Sequence, residues 1–226
     1  MLSNEAIPLS IPSGTICLTF DDGPGKHTLE IATCLAELNM RATFFMVGQH
    51  VRRDFETVRK VSGLGHWIGN HTDTHLQLPT LAESGGSVVN EVLETDRLIA
   101  EFIGDGPFLF RPPYGQWDSK VATALNQNNE LQKYIGPIMW DIQVNDCGIG
   151  DDRDGKLWTL EMCQQAYLDR IESDGKGVVL LHDSAADAGD RGTKLRANNR
   201  THELVLWLAP RIQKKFKCVG INELIR

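Results

Sequence analysis

The sequence predicts a parallel α/β fold, a closed or distorted (β/α) barrel in preference to an open doubly wound sheet. Short apolar runs alternate with longer stretches of helical period up to the C-terminus. The run GVVLL at 177–181 is continuously apolar, the composition of a parallel strand buried on both faces. Six or seven β-then-α units follow one another without a linker, which predicts one domain over residues 1–226.

The first strand is TICLTF at 15–20, followed by a helix over about 28–38 in which Leu29, Ile31, Ala32, Leu35 and Leu38 gather on one face. Residues 42–47 read as a second strand, a charged helix starts near Val51, and 66–70 gives a short third strand. In 88–102, Val89, Leu93 and Ile99 share a helical face, and 107–110 is another short strand. The second half continues with a helix over 119–125, a strand over 134–140, a helix over 160–171, the strand 177–181, a helix over about 202–213 and a last strand over 216–220. NDCGIGDDRDGK, at 145–156, reads as a polar loop.

Apolar residues at 41% and charged residues at 23% match ordinary globular usage and exclude a disordered or low-complexity chain. A net charge of −7 disfavours nucleic acid and anionic membrane surfaces as partners. No apolar run approaches the roughly 18–20 residues that cross a bilayer, and the opening MLSNEAIPLSIPSG does not read as a secretory signal. The five cysteines include no C-x-x-C pair, which argues against a thiolate zinc cluster or a disulfide scaffold while leaving room for one disulfide.

In parallel α/β folds, chemistry gathers where strands end, because the loops leaving those ends surround one mouth. After 15–20 come Asp21 and Asp22; after 66–70, His71 and His75; after 107–110, Arg111 and Tyr114. Asp141 and Asp146 follow the strand ending at Trp140, and His182 and Asp183 follow 177–181. His71 and His75, four residues apart, suit two ligands of one metal, and a carboxylate from another strand end completes the open three-ligand set of catalytic zinc. The same set describes an iron oxygenase triad. Asp21 and Asp22, taken in isolation, read as ordinary turn chemistry; as adjacent residues after a buried strand they are expected to point apart, one to a metal and the other to its water. Arg111 reads as a loop clamp or as the partner of a carboxylate. His182 reads as a strand cap or as a general acid tuned by Asp146. Histidines 27, 50, 66 and 202 receive no role.

At these residues the sequence resembles the polysaccharide deacetylase family, also called carbohydrate esterase family 4 or the NodB homology domain, over about 15–224. TFDDGP at 19–24, HTDTH at 71–75, RPPYG at 111–115 and LLHD at 180–183 look like its motifs and occur in its order. The resemblance implies a distorted (β/α) barrel with about seven parallel strands, NodB-like. It also implies a metal-dependent hydrolase, using a divalent metal and most often Zn2+, that removes N-acetyl groups from glycans such as chitooligosaccharide or peptidoglycan. O-acetyl xylan is the alternative substrate, and an inactive glycan-binding relative the alternative to catalysis. By the same likeness, Asp22, His71 and His75 would hold the metal and Asp21 would be the base. Arg111 would orient Asp21, the Tyr114 backbone N–H would face the oxyanion, His182 would be the acid tuned by Asp146, and Thr72 would brace the histidine loop. The chain departs from the family at Cys147, where a tryptophan is usual; Trp117 or Trp158 either replaces that aromatic face or packs ordinarily. The expected partner is an acetylated glycan, with the chain monomeric and working in an extracellular, periplasmic or cell-wall setting.

Overall fold

Both faces of the first strand, β1 (Thr15–Gly23), are buried, and its alternation divides the interior in two. Ile16, Leu18 and Phe20 pack into the core shared with the outer helices, whereas Cys17 joins an inner cluster with Phe45, Leu109, Ile138 and Val178. The period of two sends Thr19 and Asp21 to the same side as Cys17, so the barrel interior grades from apolar at its base to charged at its mouth. The computed structural model describes residues 1–153, 156–187 and 189–225.

The elements that follow are α1 (Thr28–Glu37), β2 (Ala42–Met46), α2 (Gly48–Val51), α3 (Phe55–Gly63), β3 (Trp67–Asn70), α4 (Leu78–Glu83), α5 (Val88–Ile103), β4 (Phe108–Leu109), α6 (Ser119–Asn126) and β5 (Tyr134–Ile135). The chain continues with β6 (Asp152–Arg153), β7 (Lys156–Leu157), α7 (Leu160–Asp174), β8 (Gly177–His182), α8 (Gly189–Asn198), α9 (Thr201–Ile212) and β9 (Lys217–Cys218). β1 pairs in parallel with β8 along Ile16–Asp21, with β2 from Leu18 onward, and with β9 at Thr15 and Ile16. β3 adds beside β2, and the bridge Asn70↔Phe110 links it to the parallel pair β4–β5. A second bridge, Ile142↔Val179, brings the segment after β5 back to β8. Among the described residues β1, β2, β3, β4, β5, β8 and β9 thus form a parallel circuit, the distorted barrel expected, with β6–β7 as an antiparallel hairpin beside it.

Helix starts follow capping chemistry. Asp54, Ser87, Asp118 and Thr159 each accept a backbone N–H three residues ahead, opening α3, α5, α6 and α7. Capping by Asp54 splits the helix expected near Val51 into α2 and α3. On α5 the buried stripe runs through Val88, Val92, Leu93, Ile99 and Ile103, with Val89 at its edge rather than at its centre. The strand expected over 134–140 shortens to two residues because Gly136 and Pro137 interrupt the ladder; pairing resumes when Ile138 N–H donates to Phe110 O at 2.9 Å. α4 and α8 were not expected, and the 145–156 loop contains a 3-10 turn at Asp146–Gly148 as well as the hairpin. The five cysteines are all free.

Candidate functional site

The mouth of the barrel is built on an irregularity. The β1–β2 register shifts between Asp21 and Gly23, making Asp22 a bulge residue with φ of 75°. The bulge swings its side chain round, so that Asp21 Oδ2 and Asp22 Oδ1 each stand 3.6 Å from His71 Nε2. This corrects the expectation that the adjacent carboxylates point apart. Asp22 is held by its neighbours: its carbonyl accepts from His50 Nδ1 at 2.7 Å, and Oδ2 accepts from Ala186 N–H at 3.2 Å.

The histidine loop is equally constrained. Thr72 (φ 67°) and His75 (φ 60°) are left-handed, which is unusual for a β-branched residue like Thr72. Asn70 Oδ1 accepts the Thr72 N–H at 2.9 Å, and the Asn70 amide donates to Val92 O and to the Tyr134 hydroxyl. Thr72 Oγ1 accepts the His75 N–H at 3.2 Å, a contact that braces the loop. His71 Nδ1 donates to Arg111 O at 2.7 Å, which fixes the tautomer and leaves the Nε2 lone pair facing the carboxylates. His75 Nε2 lies 3.1 Å from Asp22 Oδ1, and the two rings sit 5.1 Å apart, tilted by 53°.

One donor atom from each of Asp22, His71 and His75 lies within 4.8 Å of the others, and Asp22 Oδ1 is buried without a hydrogen-bond partner among the described residues. That orphaned oxygen beside two imidazole nitrogens fits a divalent ion: the donors are two N and one O, with a position left open. Burial alone would raise Asp22, but the charge of the neighbouring His75 imidazole carries it well below the usual carboxylate range. Burial lowers His71, whereas in His75 the Asp22 charge overcomes burial and raises it.

Arg111 is completely buried. Its Nη1 donates to Asp21 Oδ1 and to Thr19 Oγ1, both at 2.8 Å, Nε donates to Ile138 O at 3.0 Å, and the guanidinium lies 4.3 Å above the Phe45 ring. It is therefore both a partner of a carboxylate and a clamp. Tyr114 (φ 57°) follows on the 3-10 turn Pro113–Gly115, with its ring 4.6 Å from His75 and its hydroxyl donating to Asp187.

Across the mouth, Asp146 Oδ1 accepts from His182 Nδ1 at 3.0 Å and Oδ2 from the His182 N–H at 2.7 Å, while Thr201 Oγ1 also donates to Oδ2 at 2.9 Å. Asp146 thus fixes His182 by ring and backbone together. Burial alone would lower His182; Cys147 and Asp146 reverse this and raise it well above 6.5. Asp146 supplies the charge, because burial pushes the Cys147 thiol up to about 11 and leaves it neutral. Asp21, Asp22, His71, His75, Asp146 and His182 line one cleft of about 360 Å3, flanked by Tyr114, Trp140 and Cys147. Trp117 packs on Phe110 and Trp158 donates to Asn145 O; neither lines the cleft, so both are packing residues.

The model of the family described as polysaccharide deacetylase matches residues 10–130, more than half of the chain. The chain belongs to the polysaccharide deacetylase family. A peptidoglycan-N-acetylglucosamine deacetylase from Bacillus cereus is 44% identical over 98 residues, covering 43% of this chain and 35% of the relative. A chitooligosaccharide deacetylase from Rhizobium leguminosarum bv. trifolii is 35% identical over 58% of each chain. The solved structure of a family 4 carbohydrate esterase from Streptomyces lividans, in complex with acetate, superposes with a TM-score of 0.61 at 27% identity, covering 89% of this chain and 87% of the other. The chain thus spans less than two thirds of the length of both curated relatives.

All eight positions taken from the polysaccharide deacetylase motifs meet at this mouth: Asp21, Asp22, His71, His75, Arg111, Tyr114, Asp146 and His182. The supports were not read from the sequence. His50 and Thr201 act through hydrogen bonds to residues distant in sequence, and Asn70 joins the nearby Thr72 N–H to the distant Val92 and Tyr134; spacing gives no signal for the distant partners. Asp183, next to His182, was placed in a motif without a role. Its carboxyl is buried, accepts the Thr28 hydroxyl, and is pushed up to about 7, first by burial, which the Thr28 bond opposes, and then by the Asp22 charge. A Cβ on Gly23 would come within 2.3 Å of Asp183 Oδ2, so any larger residue there must displace the Asp183 carboxyl.

Proposed function

We propose that the chain is a metal-dependent deacetylase that hydrolyses N-acetyl groups of N-acetylglucosamine-containing glycans, releasing acetate and a free amino sugar. The observation that carries this reading is the orphaned Asp22 oxygen beside two imidazole nitrogens, flanked on one side by an arginine-held carboxylate and on the other by a carboxylate-held histidine. The names of the two relatives, a peptidoglycan-N-acetylglucosamine deacetylase and a chitooligosaccharide deacetylase, support the substrate class.

Asp22, His71 and His75 would hold the ion, Zn2+ by donor type, and when bound it would supply Lewis acidity for the water and the acetyl carbonyl. Asp21, oriented by Arg111, accepts the proton of the attacking water. The Tyr114 backbone N–H is assigned to the developing oxyanion, a contact of a kind worth on the order of 3 kcal/mol of barrier. His182, protonated and aligned by Asp146, delivers a proton to the nitrogen as the C–N bond breaks, because an amide anion is too poor a leaving group to depart unaided. Water adds across the bond, giving acetate and amine.

A groove of about 350 Å3 lined by Leu76, Thr80 and Leu81 shares His75 and Tyr114 with the cleft and gives a polymer room beyond the reacting sugar. Among the described residues no helix is long and apolar enough to cross a membrane, and a cell-wall glycan would place the work outside the cytoplasm. The test is acetate release from chitooligosaccharides, peptidoglycan fragments and acetyl xylan, with and without chelator. Release from the N-acetylated substrates that chelator abolishes is expected; release from xylan alone, or release indifferent to chelator, overturns the reading.

A further inference from the structure

A second set of donor atoms stands outside the cleft, at the first turns of two packed helices, α1 and α9. His27, immediately before α1, sets Nδ1 2.9 Å from Glu30 Oε2. Its ring stacks on that of His202, the second residue of α9, with centroids 3.7 Å apart and planes 8° from parallel. One donor atom from each of His27, Glu30 and His202 lies within 4.8 Å of the other two. His202 Nδ1 is buried and has no hydrogen-bond partner among the described residues, a condition that a native fold rarely leaves without a use. Two imidazolium rings would repel at this separation. Burial and then the His27 neighbour lower the His202 pKa, so its ring keeps a lone pair near neutrality.

The geometry points to a second cation site at His27, Glu30 and His202 that takes a borderline transition ion such as Zn2+, with water completing its shell. Two imidazoles and one carboxylate are the donors such ions prefer. A tetrahedral shell needs donor atoms about 3.3 Å apart, closer than the outer limit here. His27 and Glu30 have side chains 24% and 50% exposed, so they can turn about their own bonds to close round an ion and splay the stacked rings. The positive ends of α1 and α9 oppose any cation, and Glu30 and Glu203 in the first turns offset this. That balance disfavours ions held by charge alone, such as Mg2+, and favours one held by imidazole nitrogen. The placement has a consequence for the cleft. His27 ends the short loop that leaves β1 after Asp21, Asp22 and Gly23, and His202 adjoins Thr201, which donates to Asp146. A shared ion would tie the loop that follows the cleft carboxylates to the helix that steadies Asp146.

The site is independent of the proposed activity, and its test reads binding. The metal-stripped chain is titrated with zinc chloride by calorimetry, beside His27→Ala, His202→Ala and Glu30→Gln, with circular dichroism confirming the fold. The two alanine variants are expected to bind one ion fewer than the parent, and Glu30→Gln to bind the ion at this site more weakly. Should the cleft itself bind nothing, the parent takes one ion and the alanine variants none, so the difference of one still identifies this site. In the unaltered chain, the ring-proton NMR signals of His27 and His202 should shift together on addition of zinc, a readout that does not depend on any variant folding. Equal stoichiometry in the parent and in folded His27→Ala and His202→Ala, or ring signals indifferent to excess zinc, overturns the proposal.

Discussion

Asp183→Asn is expected to stabilise the protein, and to do so more strongly the higher the pH. The side chain is buried, its Oδ1 lacks a hydrogen-bond partner among the described residues, and its pKa stands at about 7, against 3.8 for the free group, first because of burial and then because of Asp22. Below about pH 4 folded and unfolded chains both carry the proton, and the carboxyl makes stability no different from that of an amide. Between about 4 and 7 the unfolded chain releases the proton while the folded chain holds it, so stability falls as pH rises; above 7 the loss is complete and flat. A rise from 3.8 to about 7 corresponds to at most ~4 kcal/mol, of which roughly 2–3 kcal/mol falls between pH 5 and pH 8. Asparagine has the same shape beside Gly23, can still pair with Thr28, and has nothing to ionise. The assay is urea denaturation of parent and variant at pH 5 and pH 8 with chelator present, so that ion binding at Asp22 does not enter. An advantage for asparagine that is unchanged between the two pH values, or larger at pH 5, refutes the argument that burial keeps this carboxyl protonated.

Asp21→Asn should retain the bound ion and lose about 10²–10⁴-fold in turnover, whereas Asp22→Ala should lose the ion itself; metal analysis beside acetate release separates the two. For His182, whose pKa is raised, the acid form persists through neutrality and activity should fall as pH climbs through the folded value. Asp146→Asn should move that alkaline limb to lower pH, and a pH profile that does not move removes Asp146 from the role. His182→Ala should slow amide substrates far more than activated aryl acetates, and equal slowing of both counts against an acid. Gly23→Ala should cost on the order of 1–3 kcal/mol in a thermal melt, because its Cβ would press on Asp183.

The barrel was legible because its strongest signals are local: the continuous apolar strand GVVLL, the helical stripes, and polar residues gathered where strands stop. The elements missed are those in which the local signal is weak. α8, GDRGTKLRAN, carries almost no apolar stripe, and β5 loses its ladder at Gly136 and Pro137. The site residues were readable because each lies at, or beyond, the C-terminal end of a strand that the sequence predicts. The geometry between them was not, since the bulge at Asp22 reverses the rule that neighbouring strand residues face apart, and no pattern of hydrophobicity encodes a bulge. The braces His50, Asn70 and Thr201 are invisible for a similar reason: each is an ordinary polar residue until the fold brings its partner within reach.

Of the non-glycine residues described with left-handed backbone, Asp22, Thr72, His75, Tyr114 and Asn145 all belong to the cleft or to the loops that form it, with Asn39 as the exception. Such conformations cost of order 1 kcal/mol or more apiece and persist only while surrounding bonds hold them. Glycine at Thr72 or Asn145 should therefore relieve strain while loosening the loops that hold the cleft, whereas at Asp22 or His75 it would remove a proposed ion ligand along with the strain. Improvements that spare turnover are to be sought on the outer helices, where resilience and chemistry are not in competition.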